Sequence, residues 1–148
     1  MDTLARARRG ATVTGVDFSQ KAITLAQSLS EELDIPSHFY WTDIYELPHI
    51  LTGKFDIVFT SYGVLHGLPD LQRWGEIIAY YLKPGGIFYI VEDHPFFRVF
   101  RASLGGEFKA ERTYFFLEEP QRVEVTGSYA TDNQGMSGVS YVWDHSIG

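Results

Sequence analysis

Two continuous apolar runs, separated by an amphipathic segment, form the central pattern of the chain. Residues 55–59 and 87–91 are the apolar runs, and large apolar residues recur at spacings of three and four from 71 to 82. Runs of this kind are typical of strands that are buried on both faces of a parallel sheet, and the spacing is that of a helix. The pattern predicts a βαβ unit in an α/β sheet, with Asp70 before the helix and a Lys-Pro-Gly-Gly stop at 83–86.

The first half of the chain predicts the same alternation of strand and helix. Residues 11–18 read as a strand that ends near Asp17, and an amphipathic helix follows it with Ser19 as N-cap. Residues 38–42 read as a further strand, followed directly by Asp43. In open α/β sheets, ligands bind beyond the carboxyl ends of the strands. Both acids are therefore candidate ligand residues, although either would also serve as a helix cap or turn residue.

The pattern changes after the second apolar run. Residues 96–148 are rich in aromatic side chains but show no long helical period. Residues 122–126 and 139–143 alternate as strands do, and 132–135 have turn chemistry. We therefore expect an α/β domain over 1–95. We expect residues 96–148 to form an aromatic loop and β-ribbon extension of the same domain.

Composition limits the classes of partner. Twelve basic and nineteen acidic residues give a net charge of −7, which argues against a nucleic-acid partner. The chain has no cysteine, so thiolate metal sites and disulfides are excluded, and the histidines show no metal-ligand spacing. No apolar run approaches the roughly 18 residues of a membrane span. We expect a cytoplasmic protein without a metal or a membrane partner.

Four segments resemble, in order and spacing, the successive motifs of the class I S-adenosylmethionine-dependent methyltransferases. They are Thr14-Gly15-Val16-Asp17-Phe18-Ser19, Trp41-Thr42-Asp43-Ile44, Phe55-Asp56-Ile57-Val58 and Leu82-Lys83-Pro84-Gly85-Gly86. Residues 63–70 also resemble the loop after the fourth strand in the small-molecule branch of that family. The resemblance covers residues 4–94. It implies a partial Rossmann-like domain over 1–95 that lacks its first strand, with S-adenosylmethionine as cofactor and a small molecule as methyl acceptor.

The resemblance also implies a role for particular residues. Asp17 would hold the ribose hydroxyls, and Asp43 would accept a hydrogen bond from the adenine amino group. Phe18 and Ile44 would pack on the purine faces, where flat apolar contact suits an aromatic ring. The residues implied beside the methionine part of the cofactor are Ser61, Tyr62 and Gly63.

Methyl transfer from a sulfonium needs mainly positioning and the exclusion of water. A general base is required only where the acceptor is a protonated oxygen or nitrogen. His66 and His94 are the candidates, since both follow strand ends, although either would also serve as an ordinary loop histidine. The aromatic side chains of 96–148 would form either a lid over the acceptor or a small satellite core.

One motif of the family has no counterpart in the chain. The first strand of the family ends in a glycine-rich loop whose amides approach the cofactor closely. A βαβ unit needs roughly 30 residues, and only twelve precede Val13. The sequence therefore resembles an internal piece of a methyltransferase, shortened at the N-terminus and at the C-terminus. We expect weak cofactor binding by the chain alone, and self-association through exposed strand edges.

Two other functions stay open at the level of sequence. A nicotinamide-dependent oxidoreductase also places an acid after a second strand, although residues 83–86 and Asp43-Ile44 fit the methyltransferase pattern better. A non-catalytic remnant or a split subunit would explain the missing motif. The identity of the methyl acceptor does not follow from the sequence.

Overall fold

A computed structural model describes residues 2–102, 108–110, 112–126 and 137–147 of the protein. The chain divides into two compact units. The first comprises residues 1–58 and 73–87, and the second comprises residues 59–72 and 88–148. The turn predicted at 132–135 lies outside the described residues.

The first unit begins with alternating helices and parallel strands. Its elements are α1 (Asp2–Ala7), β1 (Thr14–Asp17), α2 (Gln20–Glu32), β2 (His38–Trp41), a 3-10 helix (Ile44–Glu46) and α3 (Leu47–Ile50). β1 and β2 pair in parallel, with Thr14 opposite His38 and Asp17 opposite Trp41. The α/β class and the predicted strand, helix, strand order are confirmed here.

The central pattern forms β3 (Phe55–Thr60), α4 (Leu71–Tyr81) and β4 (Leu82–Ile90), with a 3-10 helix at Leu65–Gly67. β3 and β4 form a second two-stranded sheet. The helix ends where the sequence predicted, but β4 begins at Leu82 and not at residue 87. Residues 83–86, predicted as a stop for the helix, are extended and form part of β4. Within them, Lys83 Nζ lies 2.9 Å from both carboxylate oxygens of Asp56.

The C-terminal part contains short strands. After a 3-10 helix (Pro95–Val99) come β5 (Phe100–Ala102), β6 (Phe108–Ala110), β7 (Gln121–Thr126) and β8 (Ser137–Val142). β7 and β8 pair antiparallel with Gln121 opposite Val142, which confirms the predicted ribbon. The antiparallel pair of β5 and β6 was not predicted, because three residues are too few to show a period.

The core of the first unit is built around Tyr81, which is 3% exposed. Its ring packs with Leu47, Leu51 and Ile77, and Phe55 lies against the same cluster. The Tyr81 hydroxyl donates a hydrogen bond to the carbonyl oxygen of Leu51 at 3.0 Å. Burial raises the pKa of Tyr81, so the hydroxyl remains a donor. The helical face predicted for α4 is thus the one that packs on β3.

The prediction that β3 and β4 are buried on both faces is wrong for this chain. Ile57 is 59% exposed and Ile87 is 60% exposed. Within the described residues, β1 pairs with β2 and β3 pairs with β4, as two separate sheets. α4 packs against one face of β3 through Phe55, and the side chain of Ile57 is left in solvent.

Gly86 occupies a position where the backbone leaves no room for a side chain. A Cβ there would lie 2.9 Å from the Lys83 carbonyl oxygen and 3.0 Å from that of Asp56. We predict that Gly86→Ala lowers the free energy of unfolding by about 1–3 kcal/mol, as overpacking does. Gly75→Ala is the matched control, because nothing lies near its Cβ and alanine favours the helix by about 0.5–1 kcal/mol. Urea unfolding measures the change in the free energy of unfolding for both variants, which should fall in Gly86→Ala and rise in Gly75→Ala. The same change in both variants would contradict the steric explanation.

We propose that the exposed strands lead copies of the chain to associate. β1 and β3 each present an edge that the described residues leave unpaired, and such edges recruit further strands. Ile57→Lys should weaken self-association by at least about tenfold, because a charge on an exposed strand opposes pairing. Leu25→Lys, at a 61% exposed site on α2, is the control. Sedimentation equilibrium measures both, and a monomer at all concentrations would refute the proposal.

Candidate functional site

The first predicted acid, Asp17, is exposed at the carboxyl end of β1. Its Oδ1 accepts a hydrogen bond from the Ser19 amide at 2.7 Å. Ser19 in turn caps α2, because its Oγ accepts from the amide of Ala22 at 3.3 Å. Asp17 therefore has the turn role that the sequence left open, and that role fixes the position of its carboxylate.

The second predicted acid, Asp43, follows β2 and is also exposed. Its Oδ1 accepts a hydrogen bond from the Tyr45 amide at 2.9 Å, which caps the 3-10 helix that begins at Ile44. Because β1 and β2 are parallel with Asp17 opposite Trp41, the two acids lie at the same end of this sheet. The structure thus brings together the two residues predicted for the adenosine part of the cofactor.

Exposed aromatic surface adjoins these acids. Phe18 is 81% exposed and Trp41 is 58% exposed, and Trp41 Nε1 donates to the Phe18 carbonyl oxygen at 2.9 Å. Carboxylates can accept hydrogen bonds from ribose hydroxyls, and flat aromatic side chains can pack on a purine ring. The two together fit an adenosine group. The sequence predictions did not include Trp41 as a site residue; a tryptophan at the end of a strand was the available signal.

In the second unit, residues 63–68 form a tight turn around the Leu65–Gly67 helix, here named the His66 turn. Its first amides bind to the chain that follows β4. The Gly63 amide donates to the Val91 carbonyl oxygen at 3.4 Å. Glu92 Oε1 accepts from the amides of Val64 and Leu65 at 2.6 and 2.9 Å. One half-buried carboxylate therefore holds two successive amides of the turn.

The carbonyl groups of the His66 turn bind to the segment that follows β8. The Trp143 amide donates to the His66 carbonyl oxygen at 2.8 Å. His145 Nε2 lies 2.8 Å from the Leu68 carbonyl oxygen, and it must donate there because a carbonyl only accepts. The His145 ring also stacks on Phe116, with centroids 5.3 Å apart. The turn is thus held from two directions.

Between Trp143 and His145, Asp144 is buried with 6% exposure. Its Oδ2 accepts from Gln121 Nε2 at 2.8 Å, and its Oδ1 lies 3.6 Å from Arg98 Nε. Within the described residues, neither Asp144 Oδ1 nor Arg98 Nε has a hydrogen-bond partner. The pair is therefore held by charge, with Gln121 satisfying the other oxygen.

His66 itself is half-buried, and its pKa is lowered from the ordinary value of 6.5, mainly because burial disfavours the charged ring. The positive charges of Arg98 and Arg112 act in the same direction, whereas Glu92 and Asp93 act against them. The imidazole is therefore neutral at pH 7 and has a basic nitrogen.

The other predicted residues of the second unit are exposed or engaged. His94 is exposed, and its Nδ1 accepts from the Phe96 amide at 3.2 Å as the cap of the Pro95–Val99 helix. Nδ1 of His94 is therefore already used as a hydrogen-bond acceptor. Tyr62 is 62% exposed, and Ser61 is exposed as well. Gly63 has a φ of +67°, a backbone conformation that favours glycine.

Sequence reasoning missed Glu92, Asp144 and His145. Glu92 lies just beyond the end of β4 (Leu82–Ile90), so the rule that ligands bind beyond strand ends covers it as well as Asp17. Asp144 and His145 gave no local signal, because their partners lie about 23 and 77 residues away. Among the described residues, no group of three or more metal-binding side chains could hold a metal ion. No helix in the described part of the chain is long and apolar enough to cross a membrane.

The chain is similar to proteins of a known family. A family model described as a methyltransferase domain matches residues 2–116. A ubiquinone biosynthesis O-methyltransferase of Coxiella burnetii is 38% identical over 85 residues, covering 55% of this chain and 34% of that protein. An uncharacterised methyltransferase of Synechocystis is 36% identical over 94 residues, covering 62% of this chain and 42% of that protein. The chain spans about a third of the length of the first of these relatives.

A solved structure supports the fold. It comes from work on the conversion of a disulfide bond into a thioacetal group during echinomycin biosynthesis, and it superposes with a TM-score of 0.59 at 20% identity. The match covers 96% of this chain and 68% of that one. With the family model spanning most of the sequence, the chain belongs to the methyltransferase domain family, within the class I S-adenosylmethionine-dependent methyltransferases.

Proposed function

We propose that the protein transfers a methyl group from S-adenosylmethionine to a hydroxyl group of a small molecule, and that His66 is the general base. The observation that carries this proposal is a half-buried histidine with a lowered pKa, on the turn that follows β3. A neutral imidazole at this position can take the proton that a hydroxyl acceptor must lose. Curated relatives named as O-methyltransferases support oxygen as the acceptor atom.

The proposed cofactor contacts follow the residues predicted from the sequence. Asp17 would accept from the ribose hydroxyls and Asp43 from the adenine amino group, with Phe18 and Ile44 beside the purine. The residues proposed beside the methionine part are Ser61, Tyr62 and Gly63. When bound, S-adenosylmethionine supplies a methyl group on a positively charged sulfur. The exposure of Phe18 and the fixed orientation of the Asp17 carboxylate support these roles.

His66 is preferred over His94 on chemical grounds. The basic nitrogen of His94 already accepts the Phe96 amide, whereas the hydrogen bonds that hold the turn around His66 use its main chain and not its ring. His66 would take the proton that the acceptor hydroxyl loses; the methyl carbon would exchange its bond to sulfur for a bond to that oxygen, and the sulfur would leave as a neutral thioether. Rigid placement of the base favours this step, because proton transfer requires hydrogen-bond distance.

The family match favours this function over the other two. A nicotinamide-dependent oxidoreductase is not supported by any of the methyltransferase relatives. A non-catalytic remnant requires neither an acid for the ribose nor a neutral half-buried base, and a split subunit would carry these residues for the same reaction. Binding of S-adenosylhomocysteine, with NAD as the competing ligand, separates the three functions.

We predict that S-adenosylhomocysteine, and not NAD, shifts the backbone NMR signals of the Asp17 and Asp43 turns. Asp17→Asn should weaken this binding by about 1–3 kcal/mol, the range for a hydrogen bond to a charged group. Asparagine keeps an oxygen for the Ser19 amide, so the turn persists while the anionic acceptor is lost.

The control is Asp34→Asn, an acid at the C-terminal end of α2 with a φ of +49°, a conformation that asparagine tolerates. It changes the charge by the same amount away from the proposed contacts. Unaltered affinity in Asp17→Asn would remove this residue from the cofactor site. Equal shifts with NAD would contradict the methyltransferase proposal.

The second prediction concerns pH. Because the folded pKa of His66 lies below 6.5, the unfolded chain binds more protons between those two values. The contribution of His66 to stability is therefore complete above pH 6.5 and decreases as the pH falls toward the folded pKa. NMR titration of the His66 ring should give a midpoint below pH 6.5. The rate of methyl transfer should fall over the same pH range as His66 becomes protonated.

His66→Gln is the variant that separates these effects. In this variant the free energy of unfolding in urea should no longer show the pH dependence that His66 causes. The rate of methyl transfer should no longer fall at low pH through protonation of His66. His49→Gln, at an exposed surface position, is the control and should leave both profiles unchanged. A His66 midpoint above 6.5 would contradict the stated effect of burial, and a fully active His66→Gln would exclude this residue as the base.

A further inference from the structure

We propose that Asp144 is a positioning residue for the methyl-transfer site. It would lock residues 143–145, here named the latch segment, onto the His66 turn and so hold the general base in place. This inference rests on the proposed role of His66. It concerns the end of the β-ribbon, in the segment for which the sequence suggests a lid or a small satellite core but no role in holding a base.

The hydrogen bonds of the His66 turn divide between two partner segments. Its early amides bind the chain after β4, through Val91 and Glu92. Its later carbonyl groups bind the latch segment, through the Trp143 amide and the His145 ring. A turn of six residues cannot satisfy these groups internally, and unpaired groups away from water are costly. The observed turn therefore depends on contact with the latch segment.

The latch segment is itself anchored by a buried carboxylate. Asp144 is 6% exposed, whereas Tyr141, on the preceding strand, is 57% exposed. A buried carboxylate is expensive unless it is paired, and here Arg98 and Gln121 supply the pairing at 3.6 and 2.8 Å. Arg98 comes from the segment after β4, and Gln121 comes from β7. Asp144 thus joins three parts of the second unit at the residue between the two latch contacts.

Arg98 links this anchor to the chemistry of His66. It is the positive group with the largest effect on the pKa of His66, and the same Arg98 pairs with Asp144. One carboxylate therefore places both the segment that binds the His66 backbone and a cation that keeps the ring neutral. Opening of the latch segment would solvate His66 and release its turn together.

The test uses the chain without cofactor or acceptor. Asp144→Asn keeps an oxygen for Gln121 but removes the charge that pairs with Arg98. We expect hydrogen exchange at the Trp143 amide to become at least about tenfold faster, equivalent to about 1.4 kcal/mol of local opening free energy. We also expect the pKa of His66 to rise toward its ordinary value, because the opened turn admits water.

The matched control is Glu124→Gln on β7, which removes the same charge from the same ribbon. Glu124 pairs with Arg122 at the surface, with its side chain 75% exposed, so neither observable should change. A second variant, His145→Phe, keeps the stack on Phe116 but loses the donor to Leu68. It should change both observables in the same direction as Asp144→Asn, and it decides the question if Asp144→Asn does not fold.

The direction of the His66 shift separates positioning from a purely structural role. If Asp144 only supports the ribbon, exchange accelerates at Trp143 while the pKa of His66 remains low. That result, or unchanged exchange in both variants, would overturn the proposal. Neither measurement requires methyl transfer. Equal binding of NAD and S-adenosylhomocysteine refutes the proposed function and leaves the latch result standing, whereas unchanged exchange and an unchanged His66 pKa in Asp144→Asn refute only the latch.

Discussion

The need to satisfy the hydrogen-bonding groups of the backbone is the constraint on which the arrangement of this protein depends. In the first unit it is met by the parallel pairing of β1 with β2, and by two acids that accept amides where the chain turns. In the second unit it is met by Glu92 and by the latch segment, on either side of the His66 turn. The same groups that satisfy the backbone are those proposed to meet the cofactor or to position the base.

One side chain can therefore both hold the backbone in place and contact a ligand. Asp17 Oδ1 closes the turn before α2, and that bond orients the carboxylate that is proposed to bind ribose. Asp43 caps a 3-10 helix in the same way. The local hydrogen bond fixes the side chain before any ligand arrives, which lowers the entropic cost of binding.

The electrostatics of the second unit follow the same logic. Burial alone would keep His66 neutral, and the arginines on the chain after β4 reinforce that state. Arg98 would be free to move if it were exposed, but the buried Asp144 restrains it. A carboxylate with no direct contact to the His66 ring thus contributes to its surroundings through one intervening cation.

The sequence by itself determined the α/β class, the N-cap at Ser19, the end of α4 and the ribbon of β7 and β8, because each depends on short-range periodicity or on local capping. It also selected Asp17, Asp43 and His66, because each follows a predicted strand and strand ends are where such sheets bind ligands. The exposure of Ile57 was decided by tertiary structure, since an apolar run does not reveal whether a second layer covers it.

Tertiary structure also decided the difference between the two histidines, because the partner of His94 Nδ1 and the burial of His66 are properties of the folded chain. It alone revealed the role of Asp144, whose carboxylate meets Gln121 across 23 residues of sequence. Periodicity and spacing record which face or strand end a residue occupies. They do not show which distant segment of the chain packs against a given residue, and such distant packing is what half-buries His66.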